Sequence, residues 1–96
     1  MDYEIIVSPR AQLEIEEAVE FYVKDSRSAA KNFLIELDAA YKFLSHSPYF
    51  VVCYKNVRML NLKGFPYSLF YVIDETQKRI RILACFHSKR NPINRP

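Results

Sequence analysis

The sequence predicts a single α+β domain over residues 1–96: an N-terminal strand, an α-helical hairpin and then a three-stranded antiparallel meander, with both helices packed on one face of the sheet. Apolar residues recur at spacings of three and four from Ala11 to Leu44, the period of helices with one buried stripe. After Pro48 the pattern changes to alternation and short continuous apolar runs, which is how strands read. Ninety-six residues, half of them hydrophobic, suffice for one modest core. Two amphipathic helices need a surface and a sheet needs a cover, so laying one on the other satisfies both.

Tyr3, Glu4, Ile5, Ile6 and Val7 are rich in β-branched and aromatic side chains and read as the first strand. Ser8 followed by Pro9 starts a helix, because a serine oxygen can accept from an early helical N–H and proline has no N–H to leave unpaired. This helix should run to about Lys24, burying Ala11, Ile15, Ala18, Val19 and Tyr22, with Leu13 and Phe21 at the flanks. Asp25, Ser26 and Ser28 offer caps for a second helix after a very short turn. Its stripe is Ala30, Phe33, Leu34, Leu37, Ala40, Tyr41 and Leu44, and Ser45, His46, Ser47 and Pro48 end it. His46 suits that end because a positive charge complements the dipole there.

Strands are expected near residues 56–62, 67–73 and 79–87. Lys63, Gly64, Phe65 and Pro66 supply the first turn, and residues 74–78 the second. Phe65, Pro66 and Tyr67 read as a rigid structural turn, the proline presetting the backbone and the aromatic rings anchoring it. Residues 49–55 fit either an extra strand or an extended lead-in.

Charge is distributed unevenly. Residues 1–50 carry five basic and nine acidic side chains, residues 51–96 nine basic and two acidic ones. A basic second half suits a polyanion or an acidic protein segment, and equally a solvated sheet face. The sheet face not covered by helices, where Lys and Arg would alternate outward, is the expected working surface. Cys53 and Cys85 are too few and too far apart for a zinc cluster or a disulfide framework, and Cys85 reads as a buried small hydrophobe. His46 and His87 lie on different elements, so no metal-ligand spacing exists, and a single glycine makes no phosphate-cradling loop. No cofactor and no metal are expected. Without an apolar run of roughly 20 residues or a basic-then-apolar N-terminus, a cytoplasmic location with no membrane contact is expected.

Val57 to Asp74, with an arginine, alternate leucines, Phe65-Pro66-Tyr67 and a strand ending in acidic residues, is followed by Ile82 to Pro92, a strand leading into His87-Ser88-Lys89-Arg90-Asn91-Pro92. This ordered pair of motifs, with Ser8, Pro9, Ala11 and the helix ending in Phe21 and Tyr22, resembles the RelE/ParE superfamily of type II toxins, closer to the ParE-like branch. The resemblance implies a toxin neutralised by a cognate antitoxin protein, assembled as a homodimer or as a toxin–antitoxin hetero-oligomer. Its target is then DNA gyrase, or, in the RelE-like alternative, mRNA in the ribosome; an inactive module retaining antitoxin binding is a third reading. Target or partner contacts would fall on Arg58, Lys63, Lys89 and Arg90. A nuclease would need an acid or base and cations to hold the phosphorane, for which His87, Arg81 and Arg90 are the candidates. His87, beside Lys89 and Arg90 where the last strand leaves the sheet, reads either as that site or as a capped strand end. Ser68 stands where RelE-like chains carry an arginine, and no tyrosine follows Tyr71.

Overall fold

The computed structural model describes residues 2–87, apart from the side chain of Val51. The order is β1 (Glu4–Val7), α1 (Pro9–Asp25), α2 (Arg27–His46), β2 (Val51–Tyr54), β3 (Val57–Asn61), β4 (Tyr67–Asp74) and β5 (Arg79–His87). The α+β architecture is the predicted one. The segment left open at residues 49–55 contains a strand, so the meander is four strands long. β1 joins it in parallel alongside β5, giving a five-stranded mixed sheet in the order β1-β5-β4-β3-β2.

Ser8 caps α1 by accepting from the Ala11 N–H at 3.1 Å, and Pro9 occupies the first turn. Ser26 alone joins the two helices. Its N–H donates to the Tyr22 carbonyl, closing α1, while its hydroxyl accepts from the Ala29 N–H at 3.0 Å, opening α2. One residue that ends one helix and starts the next allows no slack, which forces the tight hairpin.

One face of the sheet is the main core. Ala11, Ile15 and Ala18 from α1 and Phe33, Leu37, Ala40 and Leu44 from α2 pack on Leu62, Tyr67, Leu69, Tyr71, Ile80, Ile82 and Cys85. Val19 and Tyr22 are partly buried against this cluster, as the helical stripe predicts. Leu34, expected in the stripe, is instead 45% exposed on the outside of the hairpin. The opposite sheet face holds a smaller apolar cluster, Val57, Phe70 and Ala84, flanked by Met59, Leu83 and Phe86 among others.

A bulge in β5 sets which residues reach which face. Phe70 pairs with Ala84 but Tyr71 pairs with Ile82, leaving Leu83 as the extra residue. Strand residues alternate faces, so one extra residue reverses the parity of everything after it. Ile80 and Ile82 face the helices before the bulge, and Cys85 does so after it. The backbone groups around the bulge are tied to the start of α1: the Ser8 hydroxyl donates to the Leu83 carbonyl at 3.1 Å, and Glu14 accepts from the Cys85 N–H at 2.9 Å. Gly64, in the β3–β4 turn, takes a positive φ of 81°, a conformation that costs glycine nothing.

Candidate functional site

His87 ends β5 on the helix side of the sheet. Its register partner is Tyr67, and the two rings meet edge to face with centroids 5.0 Å apart. Around it is a cleft of about 160 Å³ lined by Glu14, Glu17, Ala18, Tyr67, Cys85 and Phe86. Small-molecule sites usually enclose roughly 300–1,000 Å³, so this cleft is a notch. Its charged lining is acidic, since both glutamates come from α1. The Cys85 thiol is pushed up to about 12 by burial and then by the Glu14 carboxylate, so it stays protonated at neutral pH. A protonated, buried thiol is a packing group and not a nucleophile.

Arg81 lies on the other face. It follows Ile80 and precedes Ile82, both of which point at the helices, so its side chain points away from them. There it approaches Asp74 at 3.8 Å, next to the Arg79–Glu4 pair at 3.2 Å. The structure therefore does not bring His87 and Arg81 together. Lys89 and Arg90 lie outside the described residues. The uncovered sheet face differs from the expected basic surface: its centre is apolar, and Arg79 and Arg81 are confined to one end, each beside a carboxylate.

Arg58 serves the segment between α2 and β2. One guanidinium nitrogen donates to the Phe50 carbonyl at 2.6 Å, and the group sits over the Tyr49 ring, 5.2 Å from its centre. The Tyr71 hydroxyl donates to the Pro48 carbonyl at 2.8 Å, so two strand side chains hold one short connection. Burial raises the Tyr71 pKa, opposed by the Phe50 backbone and by the Arg58 charge. Lys63 reaches a groove of about 350 Å³ between α2 and β3, bounded also by Glu36, Phe43, Phe50 and Leu60. Phe43 and Phe50 meet edge to face at 5.9 Å, and both are more than 40% exposed.

The Phe65-Pro66-Tyr67 turn faces the helices. Phe65 stacks edge-on against Tyr22 at 5.2 Å and Phe33 at 5.4 Å, and Tyr67 packs on the same two rings. A second groove, of about 520 Å³, runs along the outside of the hairpin and is lined by Val19, Val23, Ala30, Leu34 and Ile35 with Arg27, Lys31 and Asp38 at its rim. Sequence reasoning missed it by assigning Leu34 to the core. It also missed the exposed aromatic residues Tyr49, Phe50 and Tyr54; a run of apolar residues at an undecided strand was the available signal.

Among the described residues no group of three or more His, Cys, Asp or Glu could hold a metal, and no helix is long and apolar enough to cross a membrane. No curated protein sequence matches the chain. Among solved structures, a chain of the chromosomal ParDE toxin–antitoxin system from P. aeruginosa superposes with a TM-score of 0.77 at 17% identity, covering 91% of this chain and 97% of that one, which establishes a shared fold. The family model for the ParE toxin of the type II toxin–antitoxin system parDE matches residues 5–92. A match across nearly the whole length, over the same strand–hairpin–meander order, places the chain in that family: it is a member of the ParE toxins of type II toxin–antitoxin systems.

Proposed function

We propose that this chain, as one cytoplasmic domain, arrests growth by binding a cellular target, DNA gyrase, rather than by cutting RNA, and that a cognate antitoxin neutralises it. The single observation supporting binding over cleavage is the separation of His87 from Arg81 by the thickness of the sheet, with two glutamates and no described cation in the His87 cleft. Cleaving RNA needs cations around the acid or base, because charge accumulates on the phosphorane, and carboxylates there would raise the barrier. Arg58 and Lys63, with Lys89 and Arg90, supply positive charge for target or partner contact, and no cofactor takes part. The antitoxin would bury apolar side chains in the hairpin groove or along the sheet edge.

Induced expression in cells is expected to cause filamentation and a DNA-damage response while translation continues. Rapid loss of translation with cleaved mRNA would overturn the proposal. His87→Ala and the ring-conserving His87→Phe should both retain toxicity when folded; loss of toxicity in both, with normal circular dichroism, would restore the nuclease reading.

A further inference from the structure

The outside of the helical hairpin carries an apolar stripe that the sheet does not use. Val23 on α1 and Leu34 and Ile35 on α2 are 50%, 45% and 51% exposed, and with Val19 and Ala30 they line the groove whose rim holds Arg27, Lys31 and Asp38. Scattered exposed apolar residues need no explanation, but a contiguous stripe with charges at its rim reads as a contact surface.

The order of residues along the stripe is nearly self-complementary. Leu34 and Ile35 form its centre, Lys31 lies three residues before that pair, and Asp38 three after it. At 3.6 residues per turn, Arg27, Lys31, Leu34 and Asp38 follow one another along one side of α2. The rim is therefore basic at the end near the hairpin turn and acidic at the other, where the exposed Glu16 of α1 also lies, one turn before Val19. Arg27 and Lys31 make no ion pair among the described residues, and Asp38, beside Lys42 at 3.1 Å, keeps a side chain 64% exposed.

We infer that this stripe is the contact surface of a homodimer, in which α2 of a second copy packs antiparallel on α2 about a two-fold axis between Leu34 and Ile35. That axis sets Leu34 against the second copy's Ile35 and Lys31 against its Asp38, each contact made twice, and brings Arg27 toward its Glu16. A partner of a single charge sign would satisfy one end of the rim and be opposed at the other, whereas a second copy turned through half a circle satisfies both. From Arg27 to Asp38 the stripe runs about 17 Å along the helix, so the contact is small and the dimer weak and concentration-dependent. Free chains thereby cover an apolar groove that would otherwise face water. The inference goes beyond the antitoxin reading and does not rest on it.

The test uses the whole chain, co-expressed with the protein encoded beside it and then separated from that partner. Sedimentation equilibrium over roughly a hundredfold range of concentration should show the wild-type mass doubling. Leu34→Glu, at an exposed position, should raise the dimer Kd at least about tenfold, since it places a carboxylate in the apolar centre of both copies. Lys31→Asp and Asp38→Lys should each weaken the dimer about tenfold, because each sets like charges together twice, while the double variant Lys31→Asp/Asp38→Lys should return to within about threefold of the wild type. Circular dichroism checks the helix content of every variant; should Leu34→Glu lose its helices, the charge pair carries the test alone. A chain that stays monomeric across the range while still capturing its co-expressed partner would overturn the inference and leave the antitoxin reading intact. A dimer that these substitutions leave unchanged, or a double variant as weak as either single one, would overturn it as well.

Discussion

Two groups of aromatic rings in this molecule share composition and differ in everything else. Tyr22, Phe33, Phe65 and Tyr67 interlock between the helices and the sheet, each ring within about 6 Å of at least two others. Phe43, Tyr49, Phe50 and Tyr54 stand at the β2 edge, all more than 40% exposed, with Phe43 against Phe50 and the Arg58 and Lys55 cations over Tyr49 and Tyr54. The first group is built on the buried Phe33 and Tyr67, with Tyr22 and Phe65 partly buried against them, and carries stability. The second is held in place yet left open to solvent, so it contributes less to the fold and is available for contacts outside the chain. The same substitution made in the two places should therefore separate folding from binding.

The largest effect is expected at Phe33, which is fully buried and touches Tyr22, Phe65 and Tyr67 at 5.4–5.5 Å. Phe33→Ala removes the ring and leaves a cavity that the surrounding rings cannot close, at a cost of about 3–5 kcal/mol. Small domains have little more than that in total, so the variant should be largely unfolded in a denaturant titration. A loss below about 1 kcal/mol would show that the four rings do not act as one packed unit.

Next in size is a pH effect on the same enclosed region. Burial pushes the Cys85 thiol from 9.0 up to about 12, and the Tyr41 hydroxyl from 10.0 up to about 12. Both groups are neutral in the folded chain, while the unfolded chain ionises at the lower, ordinary values. Between pH 9 and 12 the unfolded state therefore binds fewer protons, and stability falls as pH rises through that window, by an amount on the order of 3 kcal/mol. Thermal melts at pH 8, 9, 10 and 11 should show a steady fall in Tm beginning near pH 9. Cys85→Ala should begin lower but decline less steeply; an identical slope would mean the thiol does not ionise on unfolding.

Arg58 is a strand residue that holds two of the displayed aromatic residues, Tyr49 and Phe50. Arg58→Met keeps the aliphatic stem but loses the charged hydrogen bond to the Phe50 carbonyl and the contact with Tyr49, at a cost of about 1–2 kcal/mol given its partial exposure. Hydrogen exchange should quicken in residues 48–54 and stay unchanged in β4. Uniform quickening across the sheet would show that Arg58 stabilises the fold globally instead of positioning one segment.

How far these regions could be read from sequence depended on whether the deciding physics was local. The hairpin was legible because its caps and its spacing of three and four are properties of adjacent residues, Ser8 with Pro9 and Ser26 with the turn it closes. β2 was not, because Tyr49 to Tyr54 is apolar without alternation, and pairing at an edge depends on β3. The uneven charge was visible, but its cancellation was not: Glu4 and Arg79 meet across 75 positions of chain. His87 and Arg81 are nuclease candidates by residue type, as acid or base and as a cation for the phosphate, and in a regular strand the two would share a face. The extra residue at Leu83 reverses that parity, and nothing in Ile82-Leu83-Ala84 announces a bulge. Ser8 and Glu14, which satisfy the backbone there, lie 75 and 71 positions away from the groups they bind.

The smallest expected change in stability is also the sharpest contrast. Phe50→Ala is chemically the same substitution as Phe33→Ala, but Phe50 is 41% exposed and packs on one ring, Phe43, at 5.9 Å. Its removal leaves no closed cavity, and its backbone is still held by Arg58 and, through Pro48, by Tyr71, so the cost should stay below about 1 kcal/mol. Affinity for the co-expressed partner should nevertheless drop about tenfold, since aromatic anchors at the centre of an interface commonly carry more than 1 kcal/mol each. A Phe50→Ala chain that melts like the wild type and binds like it would make the exposed rings of the β2 edge ordinary surface. A chain that melts early would show that this edge belongs to the core after all, and the division between enclosed and displayed rings would fail at its weakest point.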